Sequence, residues 1–262
     1  VGGISTDASG NIFLCGSFES PTIIFGSTTL SKTGTFDDSF VAKLNNSGVE
    51  LWAKASISGL SAAAYDLVVD SEGNAYLTGT FGSSVTFGST STLVNGNSSF
   101  QYGNIFLVKY DTDGTTVWSL SIDSPGYYED VAHDMAIGPN DNIYLTGYYG
   151  RSDLFVRKYD KDGTSLWNAE TWGSNMAEGL SITVDSDDNS YVIGDYFGSD
   201  ITIGDSTFNG DYEQQSYEVL VLKLSGAGAV LWAGAGTGEG YYSDYGDAIC
   251  ISGNETVYFA GR

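Results

Sequence analysis

Two short segments combine paired tyrosines with acids. "GYYED" places Tyr127 and Tyr128 beside Asp130, and "GYYSDYGD" places Tyr241 and Tyr242 beside Asp244. Tyrosine offers a flat apolar face with a hydroxyl, and a carboxylate accepts hydrogen bonds from sugar hydroxyls or holds a cation. These six residues are the candidate ligand-binding set, suited to a glycan or a protein surface. Acid–base chemistry is the competing use of the same region. His133, the only histidine, lies in "EDVAHDMAI" between Asp130 and Asp134, and a His–Asp pair is able to act as a base. No nucleophile motif or Gly-x-Ser-x-Gly element accompanies it, so His133 is assigned to a polar rim. Asp66, Asp134 and Asp247 occupy one aligned position, but Gly3 and Ser181 stand there in the other copies. The expectation is therefore a non-catalytic chain. The alternative is an enzyme acting on polysaccharide, a glycoside hydrolase or lyase, through clustered carboxylates.

Metal binding is a candidate chemistry at "VKYDTDGTTVW", where Asp111, Asp113 and Gly114 look like the start of a calcium loop. A loop of the EF-hand type needs more oxygen ligands and a distal Glu. Neither follows here, and the acids read as turn residues capping backbone amides. No cofactor is expected, with a calcium ion at acidic turns such as "DSDDN" kept as an alternative. Cys15 and Cys250 are far apart, lack Cys-x-x-Cys spacing, and are expected as buried free thiols rather than zinc ligands.

These residues are positioned by a repeat. Four segments share the frame Lys-x(4)-Gly-x(3)-Trp: "KLNNSGVELW", "KYDTDGTTVW", "KYDKDGTSLW" and "KLSGAGAVLW". Five share a second frame: "GNIFLCG", "GNAYLTG", "DNIYLTG", "DNSYVIG" and "ETVYFAG". Each unit carries four short β-forming runs, a to d, with tight Asp/Asn/Gly turns between a and b and between c and d. This predicts an all-β fold, a β-propeller of four-stranded antiparallel blades. Four repeats are complete, and the first two strands of a fifth follow. The expected organisation is one propeller domain over 1–262, with blades about 1–56, 57–122, 123–170 and 171–236, and a partial blade at 237–262. The partial blade predicts a piece of a longer chain, or self-association in which a neighbour completes it.

Three units carry an extra stretch between b and c: "TIIFGSTTL", "SVTFGSTSTL" and "DITIGDSTF". Alternation around a central Gly predicts added hairpins. They share a face with the d–a connections, and that face is the expected recognition surface. The repeat tryptophans Trp52, Trp118, Trp167 and Trp232 are expected to pack between sheets. Trp172 lies outside the frame and is the better candidate for exposure. Lys43, Lys109, Lys158 and Lys223 hold one frame position, each preceded five residues earlier by Asp38, Asn104, Asp153 or Glu218. A repeated polar pair within or between blades is the expected reason, rather than four catalytic lysines.

Thirty-three acidic residues against 10 basic ones give a net charge of −23. That balance excludes a nucleic-acid partner and an anionic membrane surface, since both need clustered Lys and Arg. No apolar run is long enough to span a bilayer. Asn45, Asn97 and Asn254 head glycosylation sequons, which matter only in a glycosylating host.

The segments "VDSEGNAYLTGTF", "TIIFGSTTL", "DDSFVAKLNNSGVELWAK" and "GYYSDYGDAI" resemble the SBBP-type β-propeller repeats of secreted and surface proteins, common in Bacteroidetes and related bacteria. The resemblance covers nearly the whole chain. The Gly-x(3)-Trp element also resembles the tryptophan-docking element of quinoprotein propellers, without a counterpart to their quinone site. What the resemblance implies is an extracellular or cell-surface location and a binding, adhesive or filament-forming structural role.

Overall fold

A computed structural model of the chain describes residues 2–96, 103–123, 129–150, 153–172, 176–197, 200–203, 206–209, 216–236, 243–253 and 255–262. The structure is all-β and divides into two compact units, Val1–Ala132 and His133–Arg262. Among the described residues the secondary structure is antiparallel strands with one short 3₁₀ turn at Pro139–Asp141.

The first unit holds two four-stranded meanders. Strands a to d are Ile4–Thr6, Ile12–Phe18, Asp38–Leu44 and Glu50–Ala55 in repeat 1. In repeat 2 they are Ala62–Val69, Ala75–Phe81, Asn104–Tyr110 and Thr116–Ile122. Repeat 3 is Val131–Ile137, Ile143–Tyr149, Asp153–Tyr159 and Ser165–Trp172, in the second unit from His133 onward. Repeat 4 is Met176–Val184, Ser190–Phe197, Tyr217–Leu224 and Val230–Gly236. A two-stranded pair, Gly246–Ile251 and Val257–Gly261, follows as strands a and b of a fifth repeat. In every complete repeat the spatial order is a-b-c-d.

Burial follows the sequence pattern. Every residue of strand b, Ala75–Phe81, and of strand c, Asn104–Tyr110, is buried, which is why both read as near-continuous apolar runs. Strand d at the margin of the sheet is mostly half-exposed.

The turns explain the Gly-rich frames. Asp70 accepts the amides of Glu72 at 3.0 Å and Asn74 at 2.8 Å. Asp111 does the same for Asp113 at 3.0 Å and Thr115 at 2.8 Å. The fourth turn residue takes a positive φ, as at Gly73 (+86°) and Gly114 (+75°), a region open to Gly at little cost. The Asp111 carboxylate is thus engaged by the backbone of its own turn.

A bulge recurs after each c–d turn. The register shifts between Lys43 and Leu44, Lys109 and Tyr110, Lys158 and Tyr159, and Lys223 and Leu224. Leu51, Val117, Leu166 and Leu231 are the extra residues left without a cross-strand partner, and each is about half exposed. The bulge turns the next residue, the frame Trp, onto the sheet face directly beside the Lys.

The inserts form hairpins, Thr22–Phe25 with Thr28–Ser31, Ser84–Thr86 with Leu93–Val94, and Asp200–Ile203 with Ser206–Asn209. Two of them do more than decorate a loop. Ser84–Thr86 pairs with Ile57–Ser58, just past strand d of repeat 1. Asp200–Ile203 pairs with the end of strand d of repeat 3, Thr171 opposite Ile203. These inserts stitch adjacent repeats by backbone hydrogen bonds.

Candidate functional site

Most of the chemistry-bearing residues of the frames are consumed by one construction repeated four times. Strands b, c and d place an aromatic ring, a lysine and a tryptophan side by side: Phe13–Lys43–Trp52, Tyr76–Lys109–Trp118, Tyr144–Lys158–Trp167 and Tyr191–Lys223–Trp232. The lysine Nζ lies 4.7–5.0 Å from the centre of the aromatic ring in every case, a cation–π geometry. Three lysines reach the first Asp of the a–b turn in their own repeat. The distances are 3.5 Å for Lys43–Asp7, 3.8 Å for Lys109–Asp70 and 3.6 Å for Lys223–Asp185.

The expected repeated polar pair is present, but its acid belongs to an a–b turn and is not the residue five positions earlier. Asp38 instead accepts the Thr33 hydroxyl at 2.8 Å and a hydrogen bond from Ser58, closing the base of the insert. Residues n and n+5 on one strand point to opposite faces, so they cannot meet.

The tryptophans lock repeat to repeat. Trp52 Nε1 donates to the Thr112 carbonyl at 3.0 Å, and Trp167 Nε1 to the Gly226 carbonyl at 2.9 Å. Each indole lies so close to the next c–d turn that a Cβ on Gly114 or Gly228 would sit 2.7 Å from it. The turn glycine is required twice over, for its φ and for this approach.

Of the tyrosine–acid rim, Tyr127, Tyr128, Tyr241 and Tyr242 lie outside the described residues. Asp130 is 1% exposed, and its amide donates to the Gly103 carbonyl at 3.0 Å. The Asp244 amide donates to the Tyr217 carbonyl at 2.8 Å. The side chain of Trp172 also lies outside the described residues. Asp134 accepts the Ser181 hydroxyl and the Ile182 amide, both at 2.8 Å, and so ties strand a of repeat 3 to that of repeat 4. Gly3 fits against strand a of repeat 2 because it has no side chain. A Cβ there would lie 2.3 Å from Asp66 Oδ1. Cys15 is buried, with its thiol pushed up to about 12 by burial, whereas Cys250 is exposed, contrary to the expectation of two buried thiols.

One gathering of charge breaks the repetition. A cleft of about 460 Å³ in the second unit is lined by Glu178, Asp195, Tyr217, Tyr245, Asp247 and Arg262, with Leu180. Strand register puts Glu178 directly opposite Asp195, a like-charged pair where repeat 2 has Ala63 opposite Thr80. Asp195 is 2% exposed and accepts the Gly246 amide at 2.7 Å. Burial pushes its carboxyl up to about 6; the Gly246 amide opposes this, and Glu178 and Asp247 reinforce it. His133 Nε2 lies 3.4 Å from Glu178 Oε2. The Tyr217 and Tyr245 rings are 5.5 Å apart and 30° from parallel. The Arg262 guanidinium lies 5.5 Å from the Tyr245 ring centre and 3.9 Å from Asp247.

Asp195 and Arg262 were overlooked in the sequence, although a signal is present. The residue after the strand-b glycine is Ser17, Thr80, Tyr148, Asp195 and Arg262 in the five copies. Charge appears there in the last two alone, next to each other in space.

Fold and site together define an all-β repeat protein whose frame lysines and turn acids are structural, with a charged cleft that departs from the repeat. Among curated proteins, the chain is 28% identical over 176 residues to an uncharacterized WD repeat-containing protein of Acanthamoeba polyphaga mimivirus. The match covers 58% of this chain and 12% of the viral protein, so the chain spans about an eighth of that relative. No known family profile matches the chain. A solved structure of a protein of unknown function from Bacteroides caccae is similar over 59% of this chain and 61% of its own, at 14% identity and a TM-score of 0.30.

Proposed function

We propose that this chain is a β-propeller segment of four complete blades and the first two strands of a fifth, of the SBBP type, acting outside the cell or at its surface. In this reading it is a non-catalytic structural and adhesive module that takes a glycan at the cleft of Glu178, Asp195, Tyr217, Tyr245 and Arg262. The observation that carries the reading is the contrast between frame and cleft. Each frame lysine is paired with a turn aspartate and Trp52 and Trp167 are docked on the next turn, whereas the cleft joins a tyrosine pair, carboxylates and an arginine on one open surface. A sugar ring has apolar C–H faces for tyrosine and hydroxyls for carboxylates and guanidinium. A glycan array on the 262-residue chain, repeated with Tyr245→Ala and Asp195→Asn, tests it. Binding that both variants reduce supports the cleft. An array with no signal, or binding that neither substitution alters, overturns it.

A second reading draws on the Asp195–Glu178 pair. Opposed carboxyls, one with its pKa raised toward neutrality, are the pattern of an acid–base couple in glycoside cleavage. Release of reducing ends or unsaturated products from acidic polysaccharides, abolished by Asp195→Asn, would favour the enzyme over the adhesin.

A further inference from the structure

Three neighbouring positions of repeat 4 depart together from the frame. Repeat 2 has Ala63 opposite Thr80, with Gly103 just before its strand c. Repeat 4 has Glu178 opposite Asp195 at those places, with Tyr217 as the first residue of strand c. All three stand on strands a, b and c of a complete meander. Asp195 is 2% exposed yet lines the cleft. Its Oδ1 accepts the Gly246 amide at 2.7 Å, and Oδ2 meets no hydrogen-bond donor among the described residues. A buried carboxylate needs both oxygens answered, by donors or by a cation. Its surroundings sharpen the need. Glu178 faces it within the sheet, and Asp247 on the following strand adds a third carboxyl, with Arg262 3.9 Å away. His133 Nε2, 3.4 Å from Glu178, is the other basic group at hand. Burial holds the Asp195 carboxyl up to about 6, so the fold compensates its charge incompletely.

Resting on the glycan reading of this cleft, we infer that its ligand is an amino sugar with a free amine, whose ammonium is held between Asp195 Oδ2 and Glu178 while the apolar face of the sugar ring lies on Tyr217. A neutral sugar brings hydroxyls alone and leaves two opposed carboxyls without a countercharge. An ammonium supplies three donors and a positive charge in one compact group, and a partly desolvated site strengthens its attraction to both carboxylates. The Tyr217 ring gives the C–H face of the sugar a flat apolar partner. N-acetylation removes the charge and leaves one donor. Discrimination between the two forms of one sugar is therefore the signature of this site. The net charge of −23 also draws cationic sugars toward the surface as a whole, a background that salt screens.

The test titrates the 262-residue chain with a glucosamine tetramer linked as in chitosan and, separately, with its fully N-acetylated form, in about 0.3 M salt to screen general attraction. Expected is binding of the free amine at least about tenfold tighter than of the acetylated form. The titration midpoint of the Asp195 carboxyl, followed by carbon NMR, should fall when the amine saturates the cleft. Asp195→Asn keeps an oxygen for the Gly246 amide but loses the charge. It and Glu178→Gln should each cut the preference to about twofold or less, with melting temperatures showing both variants folded. Equal or tighter binding of the acetylated form overturns the inference and leaves a glycan site standing. A preference for the amine that survives both substitutions also overturns it, because the charge is then read elsewhere on the surface. Binding of neither form removes the glycan reading and the inference together.

Discussion

Lys158 of repeat 3 is held by Asp188, which belongs to the a–b turn of repeat 4. In the other three repeats the lysine finds the first residue of its own turn, Asp7, Asp70 or Asp185. Repeat 3 has Gly138 at that place, and a Cβ there would come within 2.7 Å of the Tyr144 ring. Asp188 also accepts the Tyr144 hydroxyl at 2.7 Å. It does so from a φ of +71°, where the corresponding residue of repeat 2 is Gly73. The backbone conformation of Asp188 is offset by two charged or polar contacts to its neighbour.

Replacing Asp188 therefore tests a contact between repeats. Asp188→Gly relieves the backbone but leaves Lys158 buried beside an aromatic ring without its carboxylate. A net loss of about 2–4 kcal/mol is expected from stranding a buried charge, read as a lower urea midpoint at constant slope. Stability equal to wild type would show that the backbone term wins.

The turn aspartates divide into two classes. Asp70 caps two amides and also meets Asn74, Tyr76 and Lys109. Asp111 caps two amides on an exposed turn. Asp70→Ala should cost about 3–5 kcal/mol and Asp111→Ala only about 1 kcal/mol. Equal losses in equilibrium unfolding would remove the ion pair from the account.

Gly48 and Gly114 isolate the docking of tryptophan. Their φ values are +77° and +75°. A Cβ on Gly48 meets nothing within 4 Å, whereas one on Gly114 meets the Trp52 indole at 2.7 Å. Gly48→Ala should lose about 1–2 kcal/mol to backbone strain. Gly114→Ala should lose about 1–3 kcal/mol beyond that through overpacking, with a change in Trp fluorescence that Trp52→Phe removes.

Asp195 gives the pH dependence a sign. A carboxyl raised to about 6 in the fold, from 3.8, favours the protonated form. Stability from this group is full below about pH 4 and falls by about 3 kcal/mol as pH rises to about 6. Asp195→Asn should flatten that fall. Asp185 runs the opposite way. Burial raises its pKa, but hydrogen bonds from Asn189 and Tyr191 and the charge of Lys223 outweigh it. Its lowered pKa contributes stability above about pH 4 that is lost on further acidification. Urea midpoints across pH 3–7 for wild type and Asp195→Asn separate the two.

The sequence by itself determined the strands, the two kinds of tight turn and the repeat. Turn chemistry and apolar runs are local properties, and copies at regular intervals read as one motif. That Trp52 and Trp167 are packing residues followed from their recurrence, whereas Trp232 at the same frame position is 45% exposed. Tertiary structure alone decided the partners. Lysine pairs with a residue more than thirty positions away because strands b and c align turn and strand ends, and the c–d bulge aims tryptophan beside it. The Glu178–Asp195 cleft was decided the same way. Its members are 17 residues apart on strands a and b, and only the antiparallel register sets them face to face. A charge at a frame position that is neutral in the first three repeats was visible in the chain. What faced it depended on the exact a–b register, which a bulge between Gly179 and Ser181 shifts by one residue.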